Sequence, residues 1–350
     1  MTIQIHCAHQ IEAAESHLCL SVGPFSYHWQ DRWASLPDSE SVRNDGRTHG
    51  VAVSADGRVI VFQQANPAVM IFDQHGQLID SWGDSFPGAH GMTLVQEGDE
   101  EFLWLTDTKT GAVVKTTLDG KTVQTIQCPP LMIYPNGKYS PTWVAVHEER
   151  FGGNGDIWVS DGYGFNFIHA YSKRGIYIDS ISGAEGDAGL FKCPHAIFMD
   201  TRKPECELYI ADRGNRRVQV YDVEGNFLRV FGEEFLTSPC AFATTGEYLI
   251  IPELRGRVTV LDGQDRLVGY LGNNEAVCDL LGWPNHPAHL IEAGKFNSPH
   301  GIAADQVGNL YVAEWIIGGR ITRLAVTNNV EDKDEGPLRG NIIQQAKEGM

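Results

Sequence analysis

Residues 194–232 read PHAIFMDTRKPECELYIADRGNRRVQVYDVEGNFLRVFG. Four short runs, HAIFMD, ELYIAD, RVQVYD and NFLRVF, alternate apolar and polar residues with a period of two. That period marks half-buried strands. The breaks between them carry Pro, Gly, Asn and Asp, which supply turns. The same grammar recurs along the chain. Six units open at His49-Gly50-Val51, His90-Gly91-Met92, Thr142-Trp143-Val144, His195-Ala196-Ile197, Cys240-Ala241-Phe242 and His300-Gly301-Ile302. Their spacing runs from 41 to 60 residues. Repeats of this length with four strands each are propeller blades. The expected fold is therefore all-β, a six-bladed β-propeller of four-stranded blades filling residues 46–330.

The flanks are assigned to the periphery. Residues 1–45 form an N-terminal extension that adds a strand or covers one face, and residues 331–350 form a polar tail. Two connections are long, 128–141 and 273–296, a length typical of lids and binding loops. Helical periodicity is confined to residues 8–20 and 276–294.

With 27 Lys+Arg against 45 Asp+Glu, the formal charge is −18. Such a surface has no basic patch to displace phosphate counterions, so nucleic acid is excluded as a partner. Anionic membranes are disfavoured for the same reason. The chain has no apolar run of 18 residues and no N-terminal secretory pattern. Seven scattered cysteines, without a CxxC pair, point to a reducing compartment, with the cytoplasm as the expected location. Nothing in the sequence fixes the oligomeric state.

In a propeller, the innermost strands all start at one end of the central channel, so the six opening residues form a ring. His90, His195 and His300 fall on blades two, four and six, separated by 105 residues each time (195 − 90 and 300 − 195). Alternate blades of a six-fold ring are related by about 120°. Three imidazoles then converge on the axis as an open metal site for a divalent ion, zinc first, with iron or manganese as alternatives. His49 shares the phase but sits on blade one, where it is expected to contact substrate or pack near the metal rather than ligate it. Cys240 is expected to be a small buried residue, and the remaining histidines to lie on the surface.

A second ring follows each blade's second strand: Gln63-Gln64, Asp107-Thr108, Asp161, Asp212-Arg213, Glu253-Leu254 and Glu314-Trp315. Its recurring acids are read as caps on loop amides. Tyr163 and Arg213 break the pattern. A phenol beside a metal, with its pKa lowered, suits a general base, and an axial guanidinium suits a substrate anchor. Gln64 and Trp315 are further candidate substrate contacts. Arg216 and Arg217, further along the turn, are expected to be exposed.

With these residues placed, the chain resembles the peptidyl-α-hydroxyglycine α-amidating lyase family within the NHL-repeat six-bladed propellers. The likeness spans most of residues 46–325 and is carried by the three alternate-blade histidines, VSDGYG at 159–164 and ADRGNRRVQV at 211–220. The resemblance implies zinc on His90, His195 and His300, Tyr163 as the base and Arg213 in the site. It departs from the family pattern at Gln64, where the family has arginine, at Gly301, where it has an aspartate associated with calcium, and at Gly164, where it has cysteine. The expected activity is a metal-dependent lyase acting on a small hydroxylated or carbonyl-containing polar molecule. A lactone or sugar hydrolase and a non-catalytic NHL interaction propeller are the alternatives. A gluconolactonase-like enzyme fits the residues less well, since such propellers hold metal with carboxylates and asparagine.

Overall fold

The structure is a computed structural model that describes residues 18–327 apart from 85 and 136, with the backbone alone at 288. The expected polar tail at 331–350 lies outside the described residues. Six antiparallel sheets are present, five of four strands and one of five. The five four-stranded sheets are up-and-down meanders in sequence order, as expected when short alternating strands are joined by tight turns. The chain is an all-β six-bladed propeller, as the repeat predicts.

Blade 1 begins with Thr48–Val53, blade 2 with Ala89–Glu97, blade 3 with Trp143–Val146, blade 4 with Pro194–Asp200, blade 5 with Ala243–Thr245 and blade 6 with Pro299–Ala304. These innermost strands pack on one another around the axis, the sixth closing onto the first. Middle strands such as Val59–Gln63 and Arg217–Tyr221 are wholly buried, because both of their faces pack against neighbouring blades. Outermost strands such as Leu78–Trp82 are largely exposed. Their solvent-facing edges carry charged residues such as Asp80, which discourage edge-to-edge pairing.

Blade 6 is closed by the other end of the chain. Phe25–Gln30 pairs antiparallel with Arg320–Val326, placing Tyr27 opposite Val326, and Cys19–Val22 adds a fifth strand. Arg320, fully buried, bridges the two ends with ion pairs to Asp31 (2.5 Å) and Glu314 (2.8 Å). Closing the ring with both termini couples the first and last blades, so neither frays alone.

One sequence expectation fails here, and another falls mostly outside the described residues. Residues 276–294 form no α-helix, only 3₁₀ turns at Glu275–Asp279 and Ala288–Leu290, because Gly282, Pro284 and Pro287 interrupt the pattern. Of residues 8–20, only 18–20 are described, and Cys19–Val22 is strand. An unforeseen short helix, Glu40–Asp45, is N-capped by Ser39, whose side chain accepts from the Val42 amide.

Among the described residues no helix is long and apolar enough to cross a membrane. The six described cysteines are free thiols.

Candidate metal centre

Each axial histidine sits where its strand breaks register. The pairing of inner and second strands shifts between Thr48 and Gly50, Ala89 and Met92, Pro194 and Ile197, and Pro299 and Gly301. A bulge lets one side chain leave the pleat. Here the bulged residues are His49, His90, His195 and His300. Their rings cluster: His90, His195 and His300 lie 4.7–4.9 Å apart, centroid to centroid. All four are 3% exposed or less.

The tautomers follow from the partners. Nδ1 of His90 bonds the Thr142 carbonyl at 2.9 Å, Nδ1 of His195 the Cys240 carbonyl at 2.7 Å, and Nδ1 of His300 the His49 carbonyl at 3.2 Å. A carbonyl only accepts, so each Nδ1 carries the proton and each Nε2 keeps its lone pair. Odd blades thus supply the carbonyls that orient imidazoles on even blades. This is the outer support that metal-binding histidines use. Burial, joined by neighbouring histidines and Arg213, holds His195 and His300 well below the ordinary range, and burial drives His90 down to about 3. The rings are therefore neutral at physiological pH, the state in which an imidazole can offer a lone pair to a metal.

Glycine follows His90 and His300 for a steric reason. A Cβ on Gly91 would stand 2.2 Å from the Thr142 carbonyl oxygen, and one on Gly301 2.2 Å from the His49 carbonyl oxygen. These are the oxygens that accept from the two imidazoles, so the missing side chain is what admits them. An aspartate at 301 would displace the orienting carbonyl.

The second ring proves structural. Asp107 accepts from the amides of Gly88, Lys109 and Thr110; Asp212 accepts from Lys192; Glu314 accepts from Asn297 and Ser298. Asp161 and Glu253 do the same for Ser140 and for Thr237 and Ser238. Each carboxylate ties the end of the second strand to the loop leading into the inner strand of its own blade. Blade 1 has Gln63 instead, whose amide donates to the Pro67 carbonyl at 2.8 Å.

Tyr163 stands beside the imidazoles, with Oη 3.2 Å from Nε2 of both His90 and His195. Arg213 donates to the same oxygen at 3.1 Å and to Cys193 Sγ at 3.2 Å. Burial raises the phenol's pKa, and the Arg213 charge pulls the other way. The protein alone therefore does not produce the lowered pKa expected from sequence. Arg213 forms no ion pair among the described residues, so a half-buried cation faces the site without a counter-ion. The loop that carries Tyr163 is fixed at Asp161, which accepts from the Ser140 and Phe165 amides; Tyr134, from the long 128–141 connection, donates to Asp161 at 2.7 Å and meets His169 Nε2 at 2.8 Å.

Some expectations are corrected. His169 is fully buried rather than on the surface, and His286 is buried with Nε2 on the Val277 carbonyl at 3.2 Å. Arg216 is exposed, but Arg217 is buried and paired with Asp212 and Glu233. Cys240 is completely buried, with its carbonyl on His195.

His49 packs directly against the cluster, one of the two placements expected of it. Ring nitrogens of His49, His90 and His300 all lie within 4.8 Å of one another, so His49 stands among the donors. Gln64 is half-buried beside it, without closing a hydrogen bond of normal geometry. Arg47, a residue the repeat gives no reason to single out, lies over the Trp315 ring at 5.4 Å, and its Nε is buried without a partner. Its position two residues before His49 was the available signal. The opposite end of the channel is a cavity of about 310 Å³ of mixed lining, with apolar residues such as Met92, Ile197 and Phe242 beside Thr93, Glu148 and Arg150.

No family model matches the sequence. Over 286 residues the chain is 26% identical to NHL repeat-containing protein 3 of Homo sapiens, spanning 77% of each. It is 28% identical over 276 residues to peptidyl-alpha-hydroxyglycine alpha-amidating lyase 1 of Drosophila melanogaster, covering 68% of this chain and 45% of that protein. Among solved structures it is similar to a streptogramin B lyase (TM-score 0.57, 13% identity, 86% of this chain and 98% of that one). It is also similar to virginiamycin B lyase from Staphylococcus aureus (TM-score 0.53, 14% identity, 86% and 100%). At these identities the structural likeness speaks for the fold alone. The chain is a six-bladed propeller with homologues among the NHL repeat-containing proteins and a weaker likeness to an amidating lyase.

Proposed function

We propose that the chain is a metal-dependent lyase for a small, polar, hydroxylated or carbonyl-containing substrate. The observation that carries this reading is the cluster of buried imidazoles on the axis: the rings of His90, His195 and His300 lie 4.7–4.9 Å apart beside the Tyr163 hydroxyl, and ring nitrogens of His49, His90 and His300 lie within 4.8 Å of one another. His300 Nε2 is buried without any partner, which a bound cation would satisfy. A divalent ion there, zinc or else iron or manganese, would supply Lewis acidity toward a substrate oxygen.

The chain's own groups divide the remaining work. Arg213, lacking an acid partner, anchors an anionic or strongly polar substrate group. Tyr163 Oη relays the proton, accepting that of a carbinol hydroxyl as it gives up its own. A carbonyl forms at that carbon as the bond to the leaving heteroatom breaks, and the proton Tyr163 releases passes to the leaving group. Gln64 and Trp315 border the substrate, and the Tyr134–Asp161–His169 cluster fixes the loop that carries Tyr163. The name of the Drosophila relative, an amidating lyase, supports elimination over hydrolysis.

Metal analysis of protein purified without added metal tests the reading. One equivalent in the wild type, lost in His300→Ala, is expected. A folded wild type that takes up no divalent ion would leave the non-catalytic propeller as the better account.

A further inference from the structure

His49 is the axial group that three-histidine ligation leaves unexplained. Both of its ring nitrogens are buried and, among the described residues, make no hydrogen bond of normal geometry even to Gln64 beside them, and leaving a buried polar atom unpaired costs about 1–3 kcal/mol. The other axial imidazoles have carbonyls on Nδ1; His49 has none. Its ring lies 4.5 Å from His300 and 4.9 Å from His90. Adding the His90–His195, His90–His300 and His195–His300 pairs gives five ring separations between 4.5 and 4.9 Å. His49 and His195 belong to blades 1 and 4, which face each other across the axis; the ring nitrogens that all lie within 4.8 Å of one another are those of His49, His90 and His300, and His195 joins them through its ring contacts with His90 and His300.

That pattern has a geometric reading. With metal–nitrogen bonds of about 2.1 Å, two imidazoles on one ion have ring centres about 4.6 Å apart at a right angle and about 5.3 Å apart at the tetrahedral angle. The observed separations match the right angle. Four corners of an octahedron, with His49 and His195 opposite and His90 and His300 adjacent, give five right-angle pairs and one pair across.

We propose that His49 is a fourth metal ligand, making the axis a four-imidazole, six-coordinate centre with two adjacent positions left for an oxygen-donor substrate. This rests on the metal-dependent reading above. A four-coordinate zinc site would have no room for both His49 and substrate. Six-coordination with imidazole therefore favours iron(II) among the ions considered.

The test uses the full-length chain, stripped of metal and loaded with cobalt(II), in the wild type, His49→Phe and His195→Ala. Phenylalanine keeps a ring in the pocket and removes both donors. The expected result is one cobalt per chain, the weak visible absorption of six-coordinate cobalt(II), and four imidazoles by X-ray absorption. His49→Phe should weaken cobalt binding by about tenfold or more and change the spectrum, as His195→Ala does. Intense four-coordinate absorption with three imidazoles, and unchanged affinity and spectrum in His49→Phe, would overturn the fourth ligand while leaving the three-histidine centre standing. A wild type that binds no cobalt overturns both. If His49→Phe does not fold by circular dichroism, the imidazole count on the wild type alone decides.

Discussion

Blades 6 and 1 are neighbours on the ring, and both open with His-Gly, yet the two motifs are held in different ways. His300 has its Nδ1 on a carbonyl of the next blade, and the loop before it is clamped by Glu314. His49 offers its own carbonyl to His300 but receives none, and blade 1 has Gln63 where the other blades carry an acid. An identical sequence phrase thus gives an oriented imidazole in one blade and an unsatisfied one in the next. The neighbouring blade makes the difference.

The largest effect that separates the two regions is expected at His90, whose ring is near both His49 and His195. His90→Ala should abolish divalent-ion binding in equilibrium dialysis, where the loss of His49 only weakens it. Equal effects would break the distinction between a shared and a flanking ligand.

The clamps come next. Arg320→Ala strands the buried Glu314 carboxylate and cuts the tie to Asp31, and should lower stability by about 3–5 kcal/mol in urea unfolding. Gln63→Met in blade 1 removes one neutral hydrogen bond and should cost about 1 kcal/mol. A comparable loss at both positions would mean that the carboxylate clamp is dispensable.

Glycine gives a finer contrast. At Gly301 a Cβ meets a backbone oxygen at 2.2 Å, whereas at Gly50 the nearest atom is the Met92 Cβ at 2.7 Å. Gly301→Ala should cost about 1–3 kcal/mol and weaken metal binding through His300. Gly50→Ala should cost less, because its 2.7 Å approach is longer than the 2.2 Å approach at Gly301 and meets no carbonyl that orients an imidazole.

His169, off the axis, separates burial from ligation. Burial lowers its pKa to about 3, so below pH 6.5 the unfolded chain takes up a proton that the folded chain refuses. Stability should fall with pH between about 6.5 and 3, by up to about 1.4 kcal/mol per pH unit from this group. In metal-free protein the His169→Gln variant should show a shallower acid slope than the wild type.

The blades were legible in the sequence because each is a local meander of alternating strands and turns. The phase of His90, His195 and His300 was legible because a repeat converts sequence spacing into angle. The closing of blade 6 was not, since Tyr27 pairs with Val326 and no local pattern names a partner that far along the chain. Nor was the standing of His49 legible. It depends on which carbonyl an adjacent blade presents, and the His-Gly motif looks alike with or without one. Arg47 escaped notice because it precedes the repeat's opening phase.

The central claim is a divalent ion on the propeller axis. Anomalous scattering from crystals of protein purified without added metal tests it most directly. The account predicts a single strong peak within coordination distance of Nε2 of His90, His195 and His300. A well-ordered axis with water alone between these nitrogens, in protein also exposed to excess divalent ion, would contradict it.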